Sequence, residues 1–136
     1  MDAVEAHRHA PPGDRVMGWK LPPEERQRLL AQVPQRYANL VADHVTLRPQ
    51  VAAAEGALPD ETAGVVVGVS DDGQGVQALV VRIAGTTRRP DGGTYHITWS
   101  LAPGRDAHES NDVIAERGWR PVPAPLPIRL EPGLIG

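Results

Sequence analysis

Two apolar runs on either side of a short polar segment constrain the fold of this chain most strongly. Residues 64–70 read GVVVGVS and residues 76–83 read VQALVVRI, and DDGQG lies between them at 71–75. Apolar runs joined by Asp and Gly are typical of a β-hairpin. The 14 glycines and 14 prolines of the sequence further indicate a fold rich in turns and short strands and poor in long helices.

Other strands are predicted on both sides of this hairpin. Residues 37–48 and 94–101 mix β-branched and aromatic residues with polar ones, as strands do. A loop containing Pro and Ala is predicted over 49–62. Residues 119–136 alternate proline up to Pro127, which predicts only an extended edge segment, because proline cannot donate to a central ladder.

Two short helices complete the predicted elements. The first is expected over 23–32, with prolines in its first turn and Pro34 after its end. The second is expected to begin at Asp106, where Glu109 completes a capping-box pattern, and to end at Gly118. Together with the strands, these helices predict an antiparallel α+β domain.

The length and composition set the domain organisation and the compartment. The 136 residues suit a flexible N-terminal arm over 1–15 and a single domain over 16–136. The chain has no cysteine, which excludes disulfides, zinc thiolate sites and thiol nucleophiles. No apolar run approaches a membrane span and no signal peptide opens the sequence. We therefore expect a cytoplasmic protein, monomeric and without a membrane partner.

The charge balance restricts the nucleic-acid partners. The net charge is −3, whereas a protein that follows many phosphates along a duplex usually carries a basic face. We therefore expect no extended duplex binding. Recognition of a single phosphate, a small nucleotide or an RNA end needs only a few positive groups and remains open.

A tetrapeptide pattern occurs twice, in the two outer predicted strands. His44-Val45-Thr46-Leu47 and His96-Ile97-Thr98-Trp99 both place a histidine and a threonine two positions apart, with apolar residues between and after them. Strand side chains alternate between faces, so each His/Thr pair shares one face while its apolar neighbours face the core. Chance predicts roughly 0.2 matches to His-x-Thr in such a composition, so the repetition indicates a functional site.

The residue types suit the cleavage of a phosphodiester. Histidine titrates near neutral pH, so one histidine can remove a proton from an attacking water or hydroxyl while another protonates the leaving oxygen. Threonine hydroxyls can donate hydrogen bonds to the non-bridging oxygens and stabilise their growing charge. Two facing pairs would bracket one phosphate without a cofactor or metal. The sequence also has no H-x-x-x-H pattern and no Asp/Glu cluster at ligand spacing.

The two motifs resemble those of the 2H phosphoesterase superfamily from about residue 37 onward. Within it, ADHVTL at 42–47 and YHITWSL at 95–101 look most like the cyclic phosphodiesterase domain of fungal-type tRNA ligases, and HESNDVI at 108–114 resembles a segment that follows the second motif there. The resemblance implies a compact bilobal α+β fold with pseudo-twofold symmetry, antiparallel strands and few short helices. It also implies that 2′,3′-cyclic phosphates are opened to 2′-phosphates. No ligase or kinase domain accompanies this chain, so a role in tRNA splicing does not follow.

Carried over residue by residue, the resemblance makes His44 and His96 the catalytic acid/base pair and Thr46 and Thr98 the phosphate-binding residues. It leaves open which histidine is the acid and which the base.

Six further residues are possible substrate contacts. Arg48 and Ser100 continue the spacing of the two motifs, Arg88 and Arg89 lie in the turn before the second motif, and Ser110 and Asn111 match the third family segment. An ordinary structural or solvated role is open for each of them.

Two other functions compete with hydrolysis of RNA ends or small cyclic nucleotides. One is hydrolysis of a cyclic oligonucleotide signal, which uses the same chemistry with a different pocket. The other is binding of nucleotide phosphates without catalysis, and the presence of both complete His/Thr pairs weighs against it.

Overall fold

The protein is described by a computed structural model that covers residues 14–52 and 58–135. Ten elements follow one another along these residues: β1 (Asp14–Lys20), α1 (Pro23–Gln32), β2 (Asn39–Leu40), β3 (His44–Ala52), β4 (Ala63–Asp71), β5 (Val76–Arg82), β6 (His96–Leu101), α2 (Glu109–Arg117), β7 (Arg120–Arg129) and β8 (Glu131–Ile135). Most of the arm predicted over 1–15 lies outside the described residues, and Asp14 and Arg15 already belong to β1. Residues 53–57 of the predicted loop also lie outside them.

The strands form two antiparallel sheets. One has three strands in the order β3-β1-β8, and the other has five in the order β2-β6-β5-β4-β7. Two short helices accompany the sheets in the described part of the chain. The predicted α+β class with mainly antiparallel strands is therefore confirmed. Neither of these helices is long and apolar enough to cross a membrane.

The predicted hairpin is formed by β4 and β5. Between these strands the Asp71 and Asp72 carboxylates accept hydrogen bonds from the N–H groups of Gly73 and Gln74, both at 2.8 Å. Gly75 has a φ of 122°, a conformation that favours glycine. On the other side of β4, the proline-rich β7 forms the edge of the sheet, as its sequence predicts.

The helices were predicted with different accuracy. The first spans Pro23–Gln32, as expected. The second begins at Glu109 instead of directly after Asp106, because hydrogen bonds of the Asp106 and Glu109 side chains close a turn just before the helix. Glu109 Oε2 accepts from the Asp106 N–H at 2.7 Å, and Asp106 Oδ1 accepts from the His108 N–H at 3.0 Å. Gly118, with a φ of 69°, ends the helix.

The strand predicted over 37–48 is in fact two strands that belong to different sheets. The β2 segment pairs with β6, and the chain stays beside β6 until the Ala42 N–H donates to the Thr98 carbonyl at 3.0 Å. Ala42 has a φ of 44°, which turns the backbone away. The following strand, β3, then pairs with β1. The two His-x-Thr strands are thus neighbours that diverge into separate sheets.

The largest cluster of buried apolar residues connects the two sheets. Trp19 of β1 and Val45 of β3 are buried with Leu79, Ile97 and Trp99 of the larger sheet. The Trp99 indole N–H donates to the carbonyl of Val33, directly after α1, at 2.9 Å. This bond fixes the helix against the same core. Residues 45, 97 and 99 therefore face inward, as their alternation with the histidines and threonines predicts.

Candidate active site around His44 and His96

Each of the two His-x-Thr motifs begins its strand and is followed by a bulge. Thr46 of β3 pairs with Gly18 of β1, and Arg48 pairs with the adjacent Met17, so β3 has one extra residue between Thr46 and Arg48. In β6, Thr98 pairs with Ala78 and Ser100 pairs with Gln77, which again leaves one extra residue. The motifs therefore share their local geometry as well as their sequence.

These bulges remove the basis in strict alternation for two predicted substrate contacts. A bulge interrupts the alternation of faces, so residues 48 and 100 no longer share a face with the motifs by counting in twos. Arg48 is exposed beyond its bulge. Ser100 is fully buried, and its hydroxyl accepts from the N–H groups of Arg36 and Tyr37 at 3.2 and 3.1 Å. Ser100 therefore fixes the segment before β2, and the substrate contact predicted for it is not supported.

Replacing Ser100 with alanine tests this structural role. Removal of the hydroxyl leaves the Tyr37 N–H without this acceptor, and the loss of such a buried bond costs about 1–3 kcal/mol. We expect urea denaturation to show that decrease in the free energy of unfolding, while kcat/KM of the folded variant stays within about twofold of the wild type. A large loss of kcat/KM with unchanged stability would instead return Ser100 to the substrate site.

The two histidines lie within electrostatic reach of each other. Strands β3 and β6 are in contact, and the positive charge of His44 is one of the influences that lower the pKa of His96. The Ala42 N–H donates to the Thr98 carbonyl. The first motif therefore begins just after the point where the chain leaves the strand that carries the second motif. The fold thus brings together the two motifs that the sequence places 52 positions apart.

His44 is held by the residue directly before it. Its Nδ1 lies 3.0 Å from Oδ2 of Asp43, and because a carboxylate only accepts, Nδ1 carries the proton. The Lys20 ammonium donates to the other oxygen of Asp43 at 3.1 Å. The hydrogen bond from His44 lowers the pKa of Asp43 to about 2 against the opposing effect of burial, with the charges of His44 and Lys20 contributing. Asp43 is therefore ionised at neutral pH.

His96 lies in a different environment. It is 8% exposed, and its Nδ1 donates to the Thr94 carbonyl at 2.8 Å, which leaves the lone pair of the neutral ring on Nε2. Burial lowers the pKa of His96 to about 4, although the bond to Thr94 opposes this effect, and the positive charges of Arg89 and His44 lower it further. At neutral pH the ring is uncharged and Nε2 can accept a proton.

Thr98 is bonded to the second helix. Its Oγ1 lies 2.9 Å from Oγ of Ser110 and 3.4 Å from the Ala107 carbonyl. Thr98 donates to that carbonyl, so if Ser110 donates to Thr98, the same Thr98 proton can turn from this long bond to a phosphate oxygen. Ser110 is fully buried and contacts Thr98, so the direct substrate contact predicted for it is not supported. Thr46 of β3 pairs with Gly18 of β1 and is half-buried.

Arg89 is the basic residue that the structure brings to this site. Its side chain is buried, its Nε donates to Asp91 Oδ1 at 2.8 Å, and its Nη2 lies 3.4 Å from Oδ1 of Asn111. A Cβ at Gly93 would lie 2.8 Å from Nη2, so that glycine makes room for the guanidinium. Arg89 is therefore a fixed positive charge near His96 rather than a solvated residue of the turn.

The remaining candidates are exposed. Arg88 lies beside Arg89, but its side chain is exposed in the turn. Asn111 is also exposed, and its Nδ2 donates to the His108 carbonyl at 3.2 Å while its oxygen faces Arg89. Within residues 14–52 and 58–135, no group of three or more His, Asp or Glu side chains could together hold a metal ion.

Sequence reasoning did not include one functional candidate, Asp43. Strand alternation would place Asp43 on the core side, opposite His44. The left-handed conformation of Ala42 interrupts this alternation, and the Asp43 carboxylate contacts the His44 ring instead. The only sequence signal was an acidic residue at an apparently apolar position directly before the first motif.

Comparisons of this chain with protein-family models, with curated proteins and with solved structures find no match. The relationship to 2H phosphoesterases therefore stays a prediction from the two motifs.

Proposed function

We propose that this protein is a metal-independent phosphodiesterase of the 2H type that hydrolyses 2′,3′-cyclic phosphates of RNA ends or small nucleotides to 2′-phosphates. One observation carries the proposal: the two strands that begin with His-x-Thr are in contact although they belong to different sheets, and the charge of His44 acts on His96. Such a pair supplies a proton acceptor and a proton donor on one substrate, which is what cleavage of a phosphodiester requires.

The polar groups around the histidines support a phosphate as the bound group. Thr98 offers a hydroxyl that Ser110 can orient, and Thr46 occupies the equivalent place in the other motif. The guanidinium of Arg89 adds a positive charge that acts on His96. Hydroxyl donors and a fixed positive charge stabilise the negative charge that grows on the phosphoryl oxygens in the transition state.

The arrangement of the strands supports the 2H assignment as well. Each sheet contributes one motif, and each motif is followed by a bulge at the same position. In this proposal, the two sheets correspond to the two lobes of the family fold and the two motifs to its pseudo-twofold repeat. The substrate is then an RNA end or a small cyclic nucleotide bound between them by a monomer.

The proposal is tested by turnover in excess EDTA. The substrates are the four 2′,3′-cyclic mononucleotides and a short RNA that ends in a 2′,3′-cyclic phosphate, and chromatography against 2′- and 3′-phosphate standards identifies the product. We expect hydrolysis to 2′-phosphates by the wild type and by His108→Ala, whose histidine is exposed, and none by the double variant His44→Ala/His96→Ala.

Two results would contradict the proposal. Absence of turnover on every one of these substrates would reject the assignment and direct attention to cyclic dinucleotides and then to binding without catalysis. Turnover that EDTA abolishes and a divalent cation restores would reject the metal-independent mechanism.

A further inference from the structure

Asp43 interacts with His44 in a way that an ordinary strand does not permit. Adjacent residues of a strand point to opposite faces, yet the Asp43 carboxylate and the His44 ring are only 3.0 Å apart. The contact is possible because the chain leaves one sheet for the other here, and Ala42 takes up the turn with a φ of 44°. A non-glycine residue in this conformation is uncommon and stores strain, which often accompanies a functional site.

In its surroundings, the Asp43 carboxylate interacts mainly with His44. The carboxylate is mostly shielded from solvent, with 21% of its side chain exposed. Its second oxygen accepts from Lys20, whose side chain is 54% exposed, and such an exposed partner contributes little to stability. The bond to His44 is the largest influence on the Asp43 carboxyl. A structural ion pair with Lys20 of β1 therefore does not account for the position of Asp43.

We propose, on the basis of the function proposed above, that Asp43 is a positioning residue that holds His44 through Nδ1 and balances its positive charge, which makes His44 the proton donor and His96 the acceptor. With Nδ1 bonded to Asp43, the proton that His44 exchanges with a substrate is the one on Nε2. His96 is held through Nδ1 as well, but by the neutral Thr94 carbonyl, so its Nε2 has a lone pair to accept a proton.

The assignment gives a balanced reaction. A water oxygen forms a bond to phosphorus while the bond between phosphorus and one ribose oxygen breaks. The proton of the water passes to Nε2 of His96, and the proton on Nε2 of His44 passes to the departing ribose oxygen. One water is consumed, one phosphate monoester is formed, and exchange of protons with solvent restores both rings.

The central experiment compares Asp43→Asn with two control variants. Asparagine keeps the size and an acceptor oxygen but removes the charge. A general acid supplies about 10²–10⁴-fold in rate, and loss of its positioning should forfeit part of this, about 10–100-fold in kcat. Lys20→Met leaves the carboxylate in place, and Asp60→Asn removes the same charge at an exposed site. Both controls should stay within about threefold of the wild type.

The pH profile supplies a readout that a purely structural role would not change. Within residues 14–52 and 58–135, the charged groups near His44 include Asp43 itself, Lys20 from β1 and His96 from β6, and Glu131 from β8 lines the same surface depression as Asp43. Without the carboxylate, a positive His44 loses its counter-charge, so the alkaline limb of the kcat profile should move to lower pH in Asp43→Asn alone. An unmoved limb, or an equal loss of kcat in Lys20→Met, would overturn the inference.

A measurement without substrate separates this inference from the proposed function. Titration of ¹⁵N-labelled histidine side chains by NMR, with His44→Ala for assignment, follows the His44 ring directly. We expect its midpoint to fall in Asp43→Asn and to stay unchanged in Asp60→Asn. If the wild type cleaves no cyclic phosphate but the midpoint falls, the proposed function fails while the Asp43–His44 coupling stands. If turnover is present but the midpoint does not move, the role of Asp43 is rejected.

Discussion

Replacing either His96 or His44 with alanine is expected to lower kcat by about 10²–10⁴-fold, with a much smaller change in KM. His96 is the expected proton acceptor, because its ring is uncharged at neutral pH and its Nδ1 proton is committed to the Thr94 carbonyl. His44 is the expected donor, bonded to an ionised Asp43. Neither role can be taken over by alanine, and the threonines proposed to hold the phosphate remain in place.

Steady-state kinetics on a 2′,3′-cyclic mononucleotide measures this loss, with His108→Ala as the control for the removal of an exposed histidine. Circular dichroism and thermal unfolding establish that each variant is folded before its rate is interpreted. In the wild type, kcat/KM should fall on the acid side near the His96 pKa of about 4. An acid limb near 6.5, the ordinary value for histidine, would contradict His96 as the acceptor, and a loss of less than tenfold in either variant would contradict the two-histidine mechanism.

The sequence predicts those parts of the fold and site that depend on local patterns. The hairpin of β4 and β5, helix α1 and the edge position of β7 follow from turn residues, helix-terminal prolines and an alternating proline pattern, which act over a few residues. The inward positions of Val45 and Ile97 follow from the alternation of strand faces. The pairing of the two motifs as one site follows from their repetition.

The sequence does not reveal what depends on distant parts of the chain. The bulges after Thr46 and Thr98 arise from pairing with β1 and β5, so the positions of Arg48 and Ser100 were predicted from an alternation that does not continue. The change of sheet at Ala42 occurs at a residue type that rarely adopts a left-handed conformation. Its side chain is fully buried, and no turn signal marks it.

Arg89 shows the same limit at the level of a single side chain. A turn with two arginines predicts solvated charges, whereas the structure buries one of them. Its burial depends on the Asp91 carboxylate and on the absence of a side chain at Gly93, both in the same turn, and on one distant group, the amide of Asn111 on α2. Only the tertiary fold brings α2 against this turn, so the sequence around Arg89 could not distinguish it from Arg88.

Lowering the pH from about 6.5 to 4 is expected to reduce the free energy of unfolding by about 3 kcal/mol through His96 alone. Burial, as the largest cause, lowers the pKa of His96 to about 4 in the folded protein, whereas an unfolded histidine titrates near 6.5. Between these values the unfolded chain binds a proton that the folded protein does not. Stability therefore falls as the pH decreases through this window and is unaffected by His96 above it.

Urea denaturation at pH 7, 5.5 and 4.5 measures this slope, and His96→Asn should remove most of it, because asparagine retains a donor for the Thr94 carbonyl but does not titrate. His108→Asn, at an exposed histidine, should keep the slope. Asp43 acts at lower pH: its pKa is lowered to about 2, so the stability it contributes is lost only as the pH falls from about 4 towards 2. Equal slopes in the wild type and in His96→Asn would mean that His96 is not held neutral by burial, and the proton acceptor of the proposed reaction would have to be reassigned.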